Sequence, residues 1–156
     1  MVSQGHNDGA GRGSTRTNMQ KAAVAVGAVF LLVGVLGFVP GVTTGYGGME
    51  LAGHQSNAKL LGIFEVSVLH NIVHLLFGVA GLALARTWDG ARSYLLGGGA
   101  VYVVLWIYGL LIDKGTTANF VPVNTADDWL HLVLGLGMIG LALALSRERT
   151  RTTGTV

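Results

Sequence analysis

Four long apolar stretches, joined by shorter polar connectors, dominate the pattern of this 156-residue chain. They cover residues 22–39, 60–85, 94–112 and 129–146. None of them alternates with period two, as a half-buried strand would, and their lengths fit the ~20 residues that a helix needs to cross a bilayer. The pattern predicts an all-α fold, an integral membrane four-helix bundle with these stretches as its spans.

The composition supports a membrane setting. Only 12% of the residues are charged and 51% are hydrophobic, with a mean hydropathy of +0.56. Average soluble domains carry about 25% charged residues, so too few charges remain here to cover a water-facing surface. The chain has no cysteine, which excludes disulfides, thiolate metal sites, iron–sulfur clusters and cysteine nucleophiles.

The distribution of lysine and arginine predicts the orientation. Eight of the ten lie before the first stretch, between the second and third, or after the fourth, whereas Lys59 and Lys114 lie in the other two connectors. By the positive-inside rule both termini are cytoplasmic. Residues 1–21 and 147–156 are polar and are predicted to be disordered cytoplasmic tails.

The composition also indicates the partners. The lipid bilayer is the expected one, and nucleic acid is not, because no basic helix with interleaved aromatic residues occurs. The sequence leaves open whether the protein partner is a second copy of the chain or another membrane subunit.

Short segments of the first half recur in the second. Gly27–Phe30 is similar to Gly99–Tyr102, and His74–Gly78 is similar to His131–Gly135. The similarity suggests a 2+2 internal repeat, in which two hairpins of the same topology are related by an axis along the membrane normal.

The second stretch carries a polar face. On a helix, Ser67, His70, Asn71 and His74 fall within an arc of about 100°. Ionisable groups are costly in hydrocarbon, so this face must turn into the bundle. The fourth stretch adds His131 at a similar depth, because His70 and His131 each precede an arginine by 16 residues. We expect these five residues to form a polar cluster, with His131 as the partner of His74.

Four further polar residues are candidates for the outer mouth of this cluster: His54, Glu65, Asp127 and Asp128. Glu65 would lie opposite His74 if the helix continued through it. The pattern of residues 124–128 predicts that Thr125 caps the fourth helix with Asp128 at position N3, so capping is the simplest explanation for the two aspartates.

Four interpretations of the cluster remain open. The first is a structural hydrogen-bond network between spans, and the second is a site that handles protons or ions. The third is a metal site, since His70 and His74 have the i, i+4 spacing at which two imidazoles can reach one ion, with His131 or an aspartate completing the shell. The fourth is haem b held by His70 or His74 and by His131. The cofactor is therefore undetermined.

Enzymatic interpretations have less support. Membrane desaturases and hydroxylases use His-x-x-x-His boxes but need roughly eight histidines, and this chain has five. Phosphate-binding and dinucleotide-binding glycine motifs are absent from the sequence. The leading hypothesis is a small non-enzymatic membrane protein whose polar face knits the bundle or handles protons or ions. The alternative is a redox protein that binds a metal or haem.

Four segments resemble a known bacterial family: Phe30–Gly41, Ala58–Phe64, Leu69–Leu75 and Asn124–His131. The chain is similar to domain-of-unknown-function family 4383, found largely in actinobacteria, from Ala22 to about Ser146. The resemblance implies four spans and a bacterial plasma membrane. It supplies no catalytic residue, cofactor or partner.

Overall fold

Four helices account for most of the chain. The computed structural model describes residues 16–153, with side chains up to residue 147. The helices are α1 (Asn18–Leu36), α2 (Val68–Leu84), α3 (Trp88–Leu111) and α4 (Thr125–Thr153). In α1, α3 and α4 the apolar segments are long enough to cross a membrane by length and composition, whereas α2 has 17 residues. The prediction of an all-helical bundle is confirmed at this level.

Polar caps set the starts of the helices. The Thr17 side chain accepts a hydrogen bond from the backbone N–H of Gln20, and the Gln20 side-chain oxygen accepts one from the backbone N–H of Thr17. Thr87 caps α3 in a similar way, through the N–H of Gly90. A cap lies outside the apolar run that follows it. The first and third helices therefore begin earlier than the predicted residues 22 and 94.

The predicted tails differ from the structure where they are described. Residues 18–21 belong to α1, and α4 continues past residue 146 to Thr153. Residues 1–15 and 154–156 of the predicted tails lie outside the described residues.

The predicted second span, residues 60–85, is too long at its start. The structure forms an antiparallel sheet of three two-residue strands in the order β1-β2-β3: β1 (Thr43–Thr44), β2 (Lys59–Leu60) and β3 (Phe64–Glu65). Leu61 and Gly62 take positive φ values of 53° and 73° in the turn between β2 and β3. A right-handed helix cannot pass through that turn. Glu65 therefore lies in a strand, and its predicted place opposite His74 on a helix is wrong.

The four helices form two hairpins. α1 packs mainly on α2 and α3 mainly on α4, and α1 and α2 both contact α3. In each hairpin, two glycines allow close approach. A Cβ at Gly78 would lie 2.8 Å from the Gly27 carbonyl oxygen, and a Cβ at Gly99 would lie 2.8 Å from the Gly135 carbonyl oxygen. Missing side chains thus let the backbones touch, as in small-residue helix contacts of membrane proteins.

The two ends of the bundle differ. One end, called the loop end here, carries residues 37–67 with the small sheet and residues 112–124. At the opposite end α2 turns directly into α3, and Gln20 Nε2 donates to the carbonyl oxygens of Ala85 and Arg86 at 3.1 and 2.9 Å. Large apolar side chains face outwards on all four helices, among them Leu32, Leu76, Val104 and Val133. Such a surface is compatible with contact to lipid.

Candidate functional site: a histidine cluster between the two hairpins

The polar face of α2 turns into the bundle. Ser67, His70, Asn71 and His74 are all buried, and so is His131 on α4. Ser67 is not part of the helix proper, because its side chain caps α2 by accepting from the His70 N–H at 3.1 Å. The five residues predicted to form one cluster therefore lie in the interior near the loop end.

The rings of His70 and His74 are stacked. Their centroids are 4.5 Å apart and their planes differ by 15°. His70 Nδ1 lies 3.3 Å from the Pro122 carbonyl oxygen, and His74 Nδ1 lies 3.0 Å from the His70 carbonyl oxygen. A carbonyl oxygen only accepts, so both hydrogen bonds require the proton on Nδ1. In the neutral rings, each Nε2 is then left as an acceptor.

His74 has its hydrogen bond within its own helix, so the expectation of a partner on another span is wrong. A carbonyl oxygen has two lone pairs, so the His70 carbonyl oxygen can accept both the hydrogen bond of the helix backbone and that of the His74 ring. His131 instead packs edge-on against Tyr102, with ring centroids 5.2 Å apart. His131 Nδ1 is buried without a hydrogen-bond partner in the described part of the chain.

Two small cavities border the three histidines. The first, called the tyrosine-side cavity, has a volume of about 140 Å³ and is lined by His70, His74 and His131 together with Tyr102 and Tyr108. The second, called the sheet-side cavity, has a volume of about 110 Å³. It is lined by the same histidines with Asp127 and apolar residues of the sheet and helices. The cluster thus separates two spaces inside the protein.

The candidate mouth residue Asp127 is a structural link. Its Oδ2 accepts from the backbone N–H groups of Asn124 at 2.9 Å and of Glu65 at 3.1 Å. Asn124 Oδ1 accepts in return from the N–H groups of Ala126 and Asp127. The cap of α4 is therefore Asn124 with Asp127 at N3, rather than Thr125 with Asp128, because the amide oxygen of Asn124 reaches the free N–H groups.

Asp128 forms an ion pair. Its Oδ2 lies 2.7 Å from Lys114 Nζ, and that ammonium group also donates to the Gly109 carbonyl oxygen. A side chain at Gly109 would overlap Asp128 Oδ1. The pair fixes residues 112–124 to the helices. Asp128 lines neither histidine cavity, but it interacts electrostatically with His131.

The other two mouth candidates lie apart from the histidines. His54 lines an open cleft at the loop end with Glu50 and Thr117. The half-buried Glu65 lies in β3 of the sheet. Burial raises the pKa of its carboxyl group above the ordinary 4.5, and the charges of Lys59 and His54 partly oppose the shift.

Sequence reasoning missed several residues of the site. They are Gly37, which makes room for the Asn71 side chain, Pro122, which accepts from His70, and the cavity-lining side chains of Tyr102, Tyr108 and Phe120. Most lie in loops or on α3, where periodicity gives no sign that they face the histidines.

The geometry gives the metal and haem interpretations no support. The nitrogen lone pairs of stacked rings lie in nearly parallel planes, whereas the lone pairs of two ligands of one ion must converge on it. Among residues 16–147 no group of three or more histidine, aspartate or glutamate side chains is arranged to hold a metal ion. Pockets for larger ligands usually enclose about 300–1,000 Å³, and the tyrosine-side cavity encloses about 140 Å³.

Comparison with known proteins identifies the family and nothing more specific. No curated protein and no solved structure matches the chain significantly. The sequence profile described as "Domain of unknown function (DUF4383)" matches residues 20–144. This range includes α2, α3, most of α1 and α4, and the histidine cluster. The chain therefore belongs to the DUF4383 family.

Proposed function

We propose that this chain is a non-enzymatic, multi-pass protein of a bacterial plasma membrane, with both termini in the cytoplasm. Three apolar helices of sufficient length support the membrane setting, and the 17 residues of α2 fit the lower end of the range for a span. The sequence places eight of the ten lysines and arginines before the first apolar stretch, between the second and third, or after the fourth, which supports the orientation.

The two hairpins support the 2+2 repeat. Gly27 meets Gly78 in one hairpin as Gly99 meets Gly135 in the other. Phe30 contacts His74 with centroids 5.6 Å apart, as Tyr102 contacts His131 at 5.2 Å. These pairs keep the offsets between the similar sequence segments, 72 and 57 residues. The histidines thereby lie where the two halves meet, the place at which many membrane repeat proteins have their functional site.

The function that the geometry supports best is to tie the loop end to the bundle. The observation that carries it is the hydrogen bond from His70 Nδ1 to the Pro122 carbonyl oxygen, which joins the buried face of α2 to residues 112–124. Asp127 and Asn124 continue the network to the sheet, at Glu65 and Ile63. The network closes the loop end over the two cavities.

Hydrogen–deuterium exchange of the full chain in lipid nanodiscs tests this role. The variant His70→Leu removes the bond to Pro122, so exchange in residues 119–124 should increase near neutral pH. The control His54→Leu changes a histidine that lies in the open cleft, and it should leave exchange in that segment unchanged. Equal exchange in His70→Leu and the unchanged chain would contradict the proposal.

Proton handling by the histidines is a second candidate function. It is favoured by the enclosed Nδ1 of His131, which lacks a partner among the described residues, and by the acceptor Nε2 atoms of the other two rings. The His131 ring is surrounded by ionisable groups of three helices. These groups are His70 and His74 on α2, Tyr102 and Tyr108 on α3, and Asp127 and Asp128 on α4.

The route for protons reaches only one end. Towards the opposite end, Phe30, Phe77, Tyr94 and Tyr102 pack ring against ring below His74. This aromatic layer favours proton uptake from the loop end over conduction through the bundle. Under this candidate, mild acidification increases exchange near the cavities, and His131→Leu abolishes that response. A response that persists in His131→Leu would contradict it.

A further inference from the structure

The open cleft at the loop end and the tyrosine-side cavity share one residue, Phe120. The cleft has a volume of about 430 Å³ and polar walls that include Glu50, His54 and Thr117. The tyrosine-side cavity lies beyond Phe120 and holds the three histidines. Phe120 therefore borders both the cleft and the tyrosine-side cavity.

The backbone around Phe120 is held on both sides. The carbonyl oxygen of Phe120 accepts from the Gly53 N–H at 2.7 Å, and that of Pro122 receives the His70 hydrogen bond. The buried Asn119 side chain accepts from the N–H of Val123 at 3.0 Å and donates to its carbonyl oxygen at 3.2 Å. Opening by movement of the whole loop would break these bonds.

The side chain of Phe120 is much less constrained than its backbone. It is 57% exposed, although it also lines the interior cavity. A large apolar ring with that exposure can change rotamer at little packing cost, and exposed side chains do so within nanoseconds. Rotation of one ring is enough to connect the two spaces.

We infer that Phe120 closes a passage through which water and small water-borne solutes reach the histidine cavity from the loop-end cleft. The inference deepens the second candidate function, since protons that reach the histidines would use this passage. The polar side chains that line the cleft and the three histidines that line the cavity provide hydrogen-bond partners at both ends of the passage.

Substituted cysteines test the passage, because the chain has no cysteine of its own. Val123→Cys places a thiol on the wall of the tyrosine-side cavity, and Val66→Cys is a matched control on the sheet-side cavity. Val123 is 6% and Val66 1% exposed. The full chain in micelles is treated with a trimethylammonium methanethiosulfonate reagent, a permanent cation that reacts from water.

Removing the ring should open the passage. In the Phe120→Ala background, labelling of Val123→Cys should accelerate by about tenfold or more, the factor for a barrier lowered by about 1.4 kcal/mol. Labelling of Val66→Cys should stay unchanged, and Phe120→Trp should slow the labelling of Val123→Cys. An unchanged rate at Val123→Cys, or an equal increase at both thiols, would overturn the inference.

The labelling result is independent of protonation. Phe120-dependent labelling together with a persistent acid response in His131→Leu would leave the passage supported and reject proton handling. Labelling that ignores Phe120 would reject the passage whatever the acid response.

Discussion

The carboxylate of Asp127, at the start of α4, accepts a hydrogen bond from the backbone N–H of Glu65 at 3.1 Å. The same oxygen accepts from the N–H of Asn124 at 2.9 Å. One side chain thus accepts from a backbone N–H at the start of α4 and also fixes the small sheet of the first hairpin onto the second hairpin.

Replacing Asp127 by alanine should destabilise the protein. The substitution leaves two backbone N–H groups without an acceptor, which costs about 1–3 kcal/mol for a buried group. Thermal unfolding in micelles measures the change. The exposed Asp89 in the first turn of α3 is the control, and Asp89→Ala should have a much smaller effect. Equal melting temperatures for the two variants would show that the Asp127 link does not hold the sheet.

The glycine contacts allow a comparison within one helix. A Cβ at Gly135 would lie 2.9 Å from Val103 Cγ2 and 3.0 Å from the Gly99 carbonyl oxygen, whereas a Cβ at Gly137 has no neighbour within 4 Å. Gly135→Ala should therefore destabilise the bundle, by about 1–3 kcal/mol as overpacking does. Gly137→Ala should be neutral or stabilising, since alanine favours a helix by about 1 kcal/mol over glycine. The same unfolding measurement checks both, and the reverse order would contradict the packing described.

The pH dependence of stability should contain a contribution from Glu65. Burial raises the pKa of its carboxyl group in the folded protein. The folded protein then keeps a proton at pH values where the unfolded chain has released it. The free energy of unfolding from this group is therefore greatest below the ordinary pKa of 4.5 and falls as the pH rises through the folded pKa.

The variant Glu65→Gln removes that titration. As the pH rises from acidic to neutral, the melting temperature of the variant should rise relative to that of the unchanged chain. The exposed Glu50 provides the control Glu50→Gln. A difference between Glu65→Gln and the unchanged chain that is independent of pH would show that Glu65 has no raised pKa.

Reporter fusions test the proposed orientation. Fusions after Gly5, within residues 87–91 and after Arg151 should report a cytoplasmic location, and fusions within residues 47–53 or 116–121 an external one. The reason is the concentration of lysine and arginine at one end of the bundle. An external signal from residues 87–91 would reverse the topology.

The sequence predicted the helices better than their boundaries. Apolar runs identify buried or lipid-facing segments, but residues 60–67 are as apolar as a span and still form strands and a cap, because the turn at Leu61 and Gly62 depends on backbone conformation. At α4 the pattern of polar residues predicted Thr125 as the cap, which is one residue too late, because Asn124 Oδ1 accepts from the free N–H groups of Ala126 and Asp127.

The positions of the histidines were predictable from the sequence, but their hydrogen-bond partners were not. Helical spacing places His70 and His74 on one face, and the distance to the next arginine places His131 at their depth. Pro122 contributes a carbonyl oxygen from a loop, and His74 bonds to the backbone of its own helix. Every residue has a backbone carbonyl oxygen, so the amino-acid sequence does not show which of them accepts a hydrogen bond.

The most direct test is to measure which ring nitrogen carries the proton in His70 and in His74. The full chain, labelled with ¹⁵N-histidine and reconstituted in lipid, gives ring nitrogen shifts that distinguish the two neutral tautomers, and His70→Gln and His74→Gln assign the signals. We expect both rings to be neutral near neutral pH, with the proton on Nδ1 and Nε2 unprotonated. Protons on Nε2 in both rings, or doubly protonated rings at neutral pH, would contradict it.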